Sequence, residues 1–184
     1  MSAGIFIALY RGINVGGNNP VKMAALRGLH ESLGHEAVKS YVQSGNVVFR
    51  TKGTAKDVSA DIADAFAKAF GFEPKVMVRD SADWKKLLSG NPYAEEAIAD
   101  PTKVHAAICE GTPDEARLSA LLEKSGGSER FETRPGVLYL HAPDGIGRSK
   151  FAAGMERACG VAATARNWRT IEALAELIKE LAPS

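Results

Sequence analysis

The order in which strand-like and helix-like segments follow one another constrains the fold of this chain most. Residues 4–10 are a β-branched and aromatic run that is apolar on both faces, which predicts a central strand. Residues 22–33 have helical periodicity, and Gly34 is placed to end that helix. The remaining segments of this half are three strands and one helix, predicted at 38–43, 47–51, 75–79 and from Thr54. The order β-α-β-β-α-β predicts a ferredoxin-like unit, in which an antiparallel sheet carries two helices on one face.

The second half of the chain repeats this order. The segment Thr112-Pro113-Asp114-Glu115 predicts a helix start with Thr112 as its N-cap. The other elements of this half are four strands and one helix, predicted at 104–109, 130–133, 137–141, 161–165 and 150–158. Outside the repeat, we expect a short helix at 81–88 and a C-terminal helix from about Trp168.

These patterns predict an α+β fold of two ferredoxin-like (β-α-β-β-α-β) subdomains in tandem, plus extra helices that include a C-terminal helix. The Ser89-Gly90-Asn91-Pro92 segment and an Asp100-Pro101 turn break the chain between the halves. We therefore expect subdomains at 1–88 and 103–184, joined by a linker at 89–102.

Charge and cysteine content exclude several classes of protein. The 184 residues carry a net charge of only +1, whereas a protein that coats nucleic acid is usually far more basic. Cys109 and Cys159 lack a CxxC spacing, so we interpret them as buried thiols in a reducing compartment. The four histidines have no metal-ligand spacing and are expected on the surface or as satisfied core residues. We predict no metal, no cofactor and no membrane span, and a cytoplasmic location.

A basic, Gly-rich segment, Arg11 to Met23, connects the first strand to the first helix. Such a junction can present backbone N–H groups to a negatively charged ligand. The segment reads RGINVGGNNPVKM and contains neither the GK[ST] of a Walker loop nor a GxGxxG fingerprint. Its glycines also fit a simpler interpretation, in which they only allow positive φ in a wide turn.

Positive charge at three predicted helix starts is the main functional argument. Helix N-termini favour acidic residues, and basic ones are disfavoured there by about 0.3–1 kcal/mol each. The basic residues at these starts are Arg11 and Lys22, then Arg148 and Lys150, then Arg166 and Arg169. An anion between each side chain and the helix N–H groups would make the arrangement favourable. The alternative is that these charges are solvated or paired with carboxylates elsewhere in the fold.

Two further segments have both a functional and a structural interpretation. Ser44-Gly45-Asn46 is a hairpin turn whose polar side chains either bond the turn itself or face the 11–23 segment and complete one pocket. Trp168 either stacks on a ring of the ligand or anchors the start of the last helix.

Five motifs together resemble a known bacterial family. They are LYRGINVGGNNPVKMAALR from Leu9, SYVQSGNVVF from Ser40, NPY from Asn91, GRSK from Gly147 and ARNWRT from Ala165. The chain resembles the family called domain of unknown function 1697 over essentially its whole length. It departs from the family's pattern at Tyr93, where Phe is expected, and in the Asn18–Pro20 segment. The resemblance implies an α+β fold of two ferredoxin-like subdomains and supplies no reaction.

From these observations we expect a protein that binds a small anionic, phosphate-bearing ligand. The predicted binding residues are Arg11, Gly12, Asn14, Gly16, Gly17, Lys22, Gln43, Ser44, Asn46, Lys150, Arg166, Asn167, Trp168, Arg169 and Thr170. No catalytic residue is marked, because no nucleophile stands in a recognisable strained turn. Two alternatives stay open: an RNA- or single-strand-binding module that uses Tyr41, Phe49 and Tyr139, and a structural or interaction protein recognised by a stable oligomer.

Overall fold

The computed structural model of the chain describes residues 3–17, 19–73 and 75–182. Its first half has the predicted order of strands and helices. The elements are β1 (Gly4–Arg11), α1 (Met23–Ser32), β2 (Glu36–Tyr41), β3 (Asn46–Thr51), α2 (Ala55–Phe70) and β4 (Lys75–Asp80). The four strands form one antiparallel sheet in the order β2-β3-β1-β4, so β1 is central as predicted.

The second half has the same order and the same sheet arrangement. Two helices precede it, α3 (Ser81–Ser89) and α4 (Ala94–Ala99). Its elements are β5 (Val104–Cys109), α5 (Glu115–Ser125), β6 (Arg130–Arg134), β7 (Val137–His141), α6 (Lys150–Ala158) and β8 (Ala163–Asn167). The sheet order is β6-β7-β5-β8, with all pairs antiparallel, and α7 (Trp168–Leu181) ends the chain. The predicted α+β fold with two ferredoxin-like halves is confirmed.

Alternation along β1 builds the core of the first half. Phe6, Ala8 and Tyr10 point to the face that α1 and α2 cover, because successive strand residues point to opposite faces. The helices bury residues at helical spacing against this face, namely Leu26, Leu29, Val58, Ile62 and Phe66. A second cluster in the other half joins β5 and β7 to α5 and α6 in the same way.

Helix ends follow local capping chemistry, with one correction. Thr54 caps α2 as predicted, since its hydroxyl accepts a hydrogen bond from the Asp57 N–H at 3.2 Å. The predicted N-cap Thr112 is wrong: α5 begins after Asp114, whose carboxylate accepts from the Arg117 N–H at 3.1 Å. Aspartate is as good an N-cap as threonine, so the helix starts two residues later.

The chain divides into two compact units whose limits differ from the predicted boundaries. One unit contains Met1–Lys86 and Ala173–Ser184, and the other contains Leu87–Glu172. The segment expected to be a linker at 89–102 therefore lies within the second unit, where it forms α4. The predicted second subdomain, 103–184, included the whole C-terminal helix, but from Ala173 onward that helix belongs to the first unit.

Specific contacts within each unit account for these limits. Tyr93 and Ala97 of the α4 segment are buried, and Glu96 forms an ion pair with Arg130. In the first unit, Glu180 near the end of α7 forms an ion pair with Lys39 of β2. Within the described ranges, no helix combines the length and the apolar character that crossing a membrane requires.

Candidate functional site

Asn14 closes the Gly-rich segment between β1 and α1 into a loop. Its backbone N–H donates to the Asn19 carbonyl at 3.1 Å, and its side-chain Nδ2 donates to the Val21 carbonyl at 2.9 Å. The Val21 N–H donates back to Asn14 Oδ1 at 2.7 Å, and Asn19 Nδ2 donates to the Gly12 carbonyl at 2.9 Å. Asn18 lies outside the described residues. These bonds join the two ends of the loop, so that the end of β1 and the start of α1 are held together.

The β2–β3 hairpin loop contacts this segment. The second N–H of Asn14 Nδ2 donates to the Gln43 carbonyl at 2.9 Å, and the Tyr10 N–H donates to the Gly45 carbonyl at 2.8 Å. Gly45 is buried, and the side chains of Ile13 and Tyr10 occupy the space that a Cβ on Gly45 would need. The structure thus brings the 11–23 segment and the Gln43–Asn46 segment together.

For Asn46 the structure matches the structural one of the two interpretations, in which its side chain bonds the hairpin itself. It was predicted within the turn, yet it is the first residue of β3 and pairs with Tyr41, so the hairpin loop is 42–45. Its buried Nδ2 donates to the Tyr41 carbonyl at 3.1 Å and to Ser44 Oγ at 2.9 Å. Asn46 therefore bonds its own hairpin, while Gln43 and Ser44 are exposed.

The backbone of the loop is open to an approaching molecule. Positive φ angles recur at Gly12, Asn14, Gly16, Gly17 and Asn19. A Cβ placed on Gly16 or Gly17 would meet no heavy atom within 4 Å, and both residues are exposed. Glycine here leaves the peptide groups uncovered as well as permitting the left-handed conformation.

Basic residues lie at both ends of this loop, at the start of α1 and at the end of β1. Lys22 is the exposed N-cap residue, with no side-chain capping hydrogen bond, and the first turn contains no acidic residue. Arg11 ends β1 directly opposite Lys75 of β4, so two cations occupy one cross-strand pair. Like charges in such a pair are destabilising by up to about 1 kcal/mol. Sequence reasoning missed Lys75, because only the antiparallel register pairs it with Arg11.

The other two basic helix starts belong to the second unit and provide their own caps. Ser149 Oγ accepts from the Ala152 N–H at 2.9 Å, so the start of α6 is capped although Arg148 and Lys150 flank it. At α7, Asn167 Oδ1 accepts from the Thr170 N–H at 3.0 Å. These caps account for Asn167 and Thr170 without a ligand, while the side chain of Lys150 is exposed.

Contacts within the second unit account for two more of the predicted binding residues. Trp168 is buried, with its ring centroid 6.5 Å from that of Tyr139, so its ring has no free face for stacking. Arg166 donates through Nη1 to Thr164 Oγ1 and to the Ala165 carbonyl, each at 2.9 Å. Burial lowers the Arg166 pKa to about 10, and the Glu156 carboxylate opposes that shift. Of the 166–170 segment, only Arg169 presents an exposed cation.

The predicted site residues therefore divide between the two units. Those from Arg11 to Asn46 belong to the first unit and form the contacts described above, whereas those from Lys150 to Thr170 belong to the second. That both groups serve one pocket stays a prediction.

Comparisons with known proteins identify the family. The model of the family described as protein of unknown function (DUF1697) matches residues 4–139. No curated protein matches the chain. Among solved structures, the chain is similar to the conserved bacterial protein SP0830 from Streptococcus pneumoniae, with 22% identity and a TM-score of 0.74 over 96% of this chain and 99% of that one.

A second solved structure is an unknown protein from Galdieria sulphuraria, with 12% identity and a TM-score of 0.27 over 97% of this chain and 94% of that one. Only the S. pneumoniae structure bears on the fold, and it supports the arrangement described above. Because the family model covers most of the chain, the protein belongs to the family of proteins of unknown function DUF1697.

Proposed function

We propose that the protein binds a small phosphate-bearing anion at the start of α1. We call this place the α1 site and define it by Arg11, Lys22, Lys75 and the backbone of Gly12–Gly17. The observation that carries the proposal is the N-terminus of a ten-residue helix whose N-cap, Lys22, is basic and makes no side-chain capping hydrogen bond, and whose first turn contains no acid.

The N-terminus of a helix attracts anions for two physical reasons. Its first N–H groups have no intrahelical acceptor, and the aligned peptide dipoles place roughly half a positive charge there. The side chain of the N-cap residue Lys22 makes no capping hydrogen bond to these donors, and Lys22 adds a full charge where the helix already carries a partial one. An anion would satisfy the donors and offset both charges.

Comparison among the helices supports the choice of α1. Within the described part of the chain, three helices have no acidic residue in the first turn, namely α1, α6 and α7. Ser149 and Asn167 cap the latter two with side-chain oxygens. At α1 the structure records no side-chain cap, and the adjacent loop leaves the Gly16 and Gly17 peptides uncovered.

Ligand-dependent thermal stability tests this proposal. Full-length protein is screened with inorganic phosphate, pyrophosphate and nucleotides, and the affinity of those that raise Tm is measured by calorimetry. Arg11→Gln and Lys22→Gln should each weaken binding roughly 10- to 100-fold, because each removes a charge-assisted contact of about 1.5–3 kcal/mol. The control is Lys52→Gln, since Lys52 is also exposed but follows Thr51, at the opposite end of the sheet from Arg11.

Binding that weakens equally in all three variants would show a general charge effect and would contradict the α1 site. So would a panel in which no phosphate-bearing compound changes Tm. The expected pattern is a loss confined to the Arg11 and Lys22 variants.

The nucleic-acid alternative has less support from the geometry. Binding on a ferredoxin-like sheet uses aromatic side chains that are exposed in mid-strand. Phe49 is buried in the core of the first unit, and Tyr139 is buried with its hydroxyl donating to the Leu87 carbonyl at 2.7 Å. Saturable, salt-sensitive binding of an oligonucleotide would favour this alternative over the α1 site.

A further inference from the structure

Three side chains of the second unit share one hydrogen-bond network. Arg130 of β6 and His141 of β7 are cross-strand partners, and Arg130 Nη2 lies 3.0 Å from His141 Nδ1. The same guanidinium nitrogen donates to Glu96 Oε1 of α4, with which Arg130 forms an ion pair. The network therefore joins α4 to both strands.

The ring of Tyr93 packs against the same network. Tyr93 is the buried N-cap residue of α4, and its ring centroid lies 5.3 Å from Arg130 Cζ and 5.8 Å from the centroid of the His141 ring. Helix α4 has only six residues, which is too short for a helix to be stable by itself. Its place beside β6 and β7 therefore depends on tertiary contacts, and this network is among them.

Arg130 fixes the protonation state of His141. A guanidinium has only donors, so His141 Nδ1 must accept the hydrogen bond from Arg130. The His141 ring is therefore neutral in this arrangement and carries its proton on Nε2. A second proton on Nδ1 would remove the acceptor and place two cations in contact.

The neighbours of His141 come from three elements. Arg130 of β6 and Glu96 of α4 are the charged ones, and on β5 the cross-strand partner is the apolar Val104. Burial and the Arg130 charge lower the pKa of His141 from its usual 6.5, and Glu96 opposes that shift. The His141 ring is only half-buried, so protons reach it from the solvent.

His141 is the member of this network that titrates just below neutral pH. Burial raises the pKa of Tyr93 to about 12, so its hydroxyl stays protonated. A backbone hydrogen bond and the bond from Arg130 lower the pKa of Glu96, so its carboxylate stays ionised. Only the charge of the imidazole changes as the pH falls through the range in which histidine titrates.

We propose that Glu96, Arg130 and His141 form a pH-sensitive latch, which holds α4 beside β6 and β7 at neutral pH and releases it in mild acid. The protonated His141 ring repels Arg130, whose side chain is 57% exposed and free to turn into the solvent, away from Glu96 and Tyr93. This inference does not depend on the α1 site, which lies in the other unit.

Proton linkage gives the direction and the size of the effect. The closed latch requires a neutral ring, so its stability is fully present above pH 6.5 and is lost as the pH falls from 6.5 towards the lowered pKa of His141. Opening takes up one proton. The equilibrium constant for opening should therefore rise by up to about tenfold per pH unit within that window.

Hydrogen exchange of the full-length protein, followed by NMR at pH 7.5 and 5.5, measures the release of α4. The reporters are the amides of Ala97 and Asp100, which donate to the Tyr93 and Glu96 carbonyls, each at 2.9 Å. Protection is calculated against the intrinsic exchange rate at the same pH, which removes the pH dependence of the exchange chemistry. We expect the protection of both amides to fall by up to about tenfold, because one unit of this interval lies below pH 6.5.

Two variants and one control amide identify the groups responsible. His141→Gln keeps an acceptor for Arg130 but cannot titrate, so the protection of α4 should become independent of pH. Glu96→Gln removes the charge of the ion pair, so protection should be lower at pH 7.5 and should still fall in acid. The control is the Leu118 amide of α5, in the same unit, whose response to pH should be equal in the wild type and in His141→Gln.

Each of three results would overturn the proposal. The first is protection of Ala97 and Asp100 that does not change between the two pH values in the wild type. The second is a loss of protection in acid that His141→Gln retains. The third is a loss at Leu118 that His141→Gln removes together with the loss in α4, since the whole unit would then open rather than α4 alone.

Discussion

Replacing Gly45 by alanine is expected to destabilise the protein by about 2–5 kcal/mol, the sum of a left-handed backbone cost and an overpacking cost. Gly45 has a φ of 76°, and a Cβ there would lie 2.6 Å from Ile13 Cδ1 and 2.8 Å from Tyr10 Cβ. Both neighbours are buried, so neither can move aside cheaply. The free energy of unfolding in urea measures the effect, as a lower midpoint with an unchanged slope.

Gly17→Ala is the matched control for Gly45→Ala. Its φ of 78° is almost the same, but no heavy atom lies within 4 Å of the added Cβ. This variant should therefore lose only the left-handed backbone cost, about 1–2 kcal/mol. Equal losses in the two variants would show that the contact between the hairpin loop and Ile13 contributes nothing.

Mild acid is expected to destabilise the protein through its buried histidines. Tyr10 Oη and His30 Nε2 are 2.8 Å apart, and His30 Nδ1 lies 3.0 Å from His35 Nδ1. The His35 ring stacks on Phe49, with the centroids 4.3 Å apart. One imidazole nitrogen must donate and the other accept between the histidines, so at least one of the two rings must be neutral.

Burial sets the titration of these groups. It lowers the His30 pKa to about 3, with the neighbouring His35 adding to the shift, and lowers the His105 pKa to about 4. The His35 pKa is also lowered by burial, against the opposing charge of Asp61. In the unfolded chain these rings titrate near pH 6.5. The stability that these buried neutral rings contribute to the folded state is therefore fully present above pH 6.5. It is lost as the pH falls from 6.5 towards the folded-state pKa values.

Urea unfolding at pH 7, 6 and 5 measures this loss. Each histidine that stays neutral in the folded state should cost up to about 1.4 kcal/mol per pH unit below 6.5. His30→Gln should lower the number of protons taken up on unfolding by up to one, and so reduce the slope of the unfolding free energy against pH. This holds whatever the effect of the substitution on stability at pH 7. His141→Gln, which removes a less buried ring, should reduce the slope by less. A slope that His30→Gln leaves unchanged would contradict the assignment.

Elements that depend on local pattern could be predicted from the sequence. The β1 run, the apolar stripe of α2 and its Thr54 cap all follow from residues within one or two turns. Gly71 ends α2 in the left-handed conformation that glycine adopts readily after a helix. The second half shows the same order of strand and helix patterns, which was enough to predict two sheets of the same topology.

Features that depend on distant partners could not be predicted in this way. Helix α4 lies in the expected linker because Glu96 pairs with Arg130, whose guanidinium lies 5.3 Å from the Tyr93 ring centroid. The histidines were expected to be surface or satisfied core residues, but only the fold brings His30 to Tyr10, twenty positions away.

For the candidate site, the loop could be located from the sequence, but its geometry could not. The glycines and flanking cations of the 11–23 segment indicated where an anion could bind. The hydrogen bonds of Asn14 and the pairing of Arg11 with Lys75 depend instead on tertiary contacts and on the register of the strands. A residue pattern also does not distinguish a binding arginine from one held within the fold, and the structure bonds Arg166 to Thr164 and Ala165.

An NMR titration of the full-length protein with inorganic pyrophosphate tests the α1 site most directly. We expect saturable shifts at millimolar concentrations in the amide resonances of Gly12, Gly16, Gly17 and the first turn of α1, and their loss in Arg11→Gln. Shifts that saturate at other amides while these stay unmoved, or a response that Arg11→Gln leaves unchanged, would contradict the α1 site.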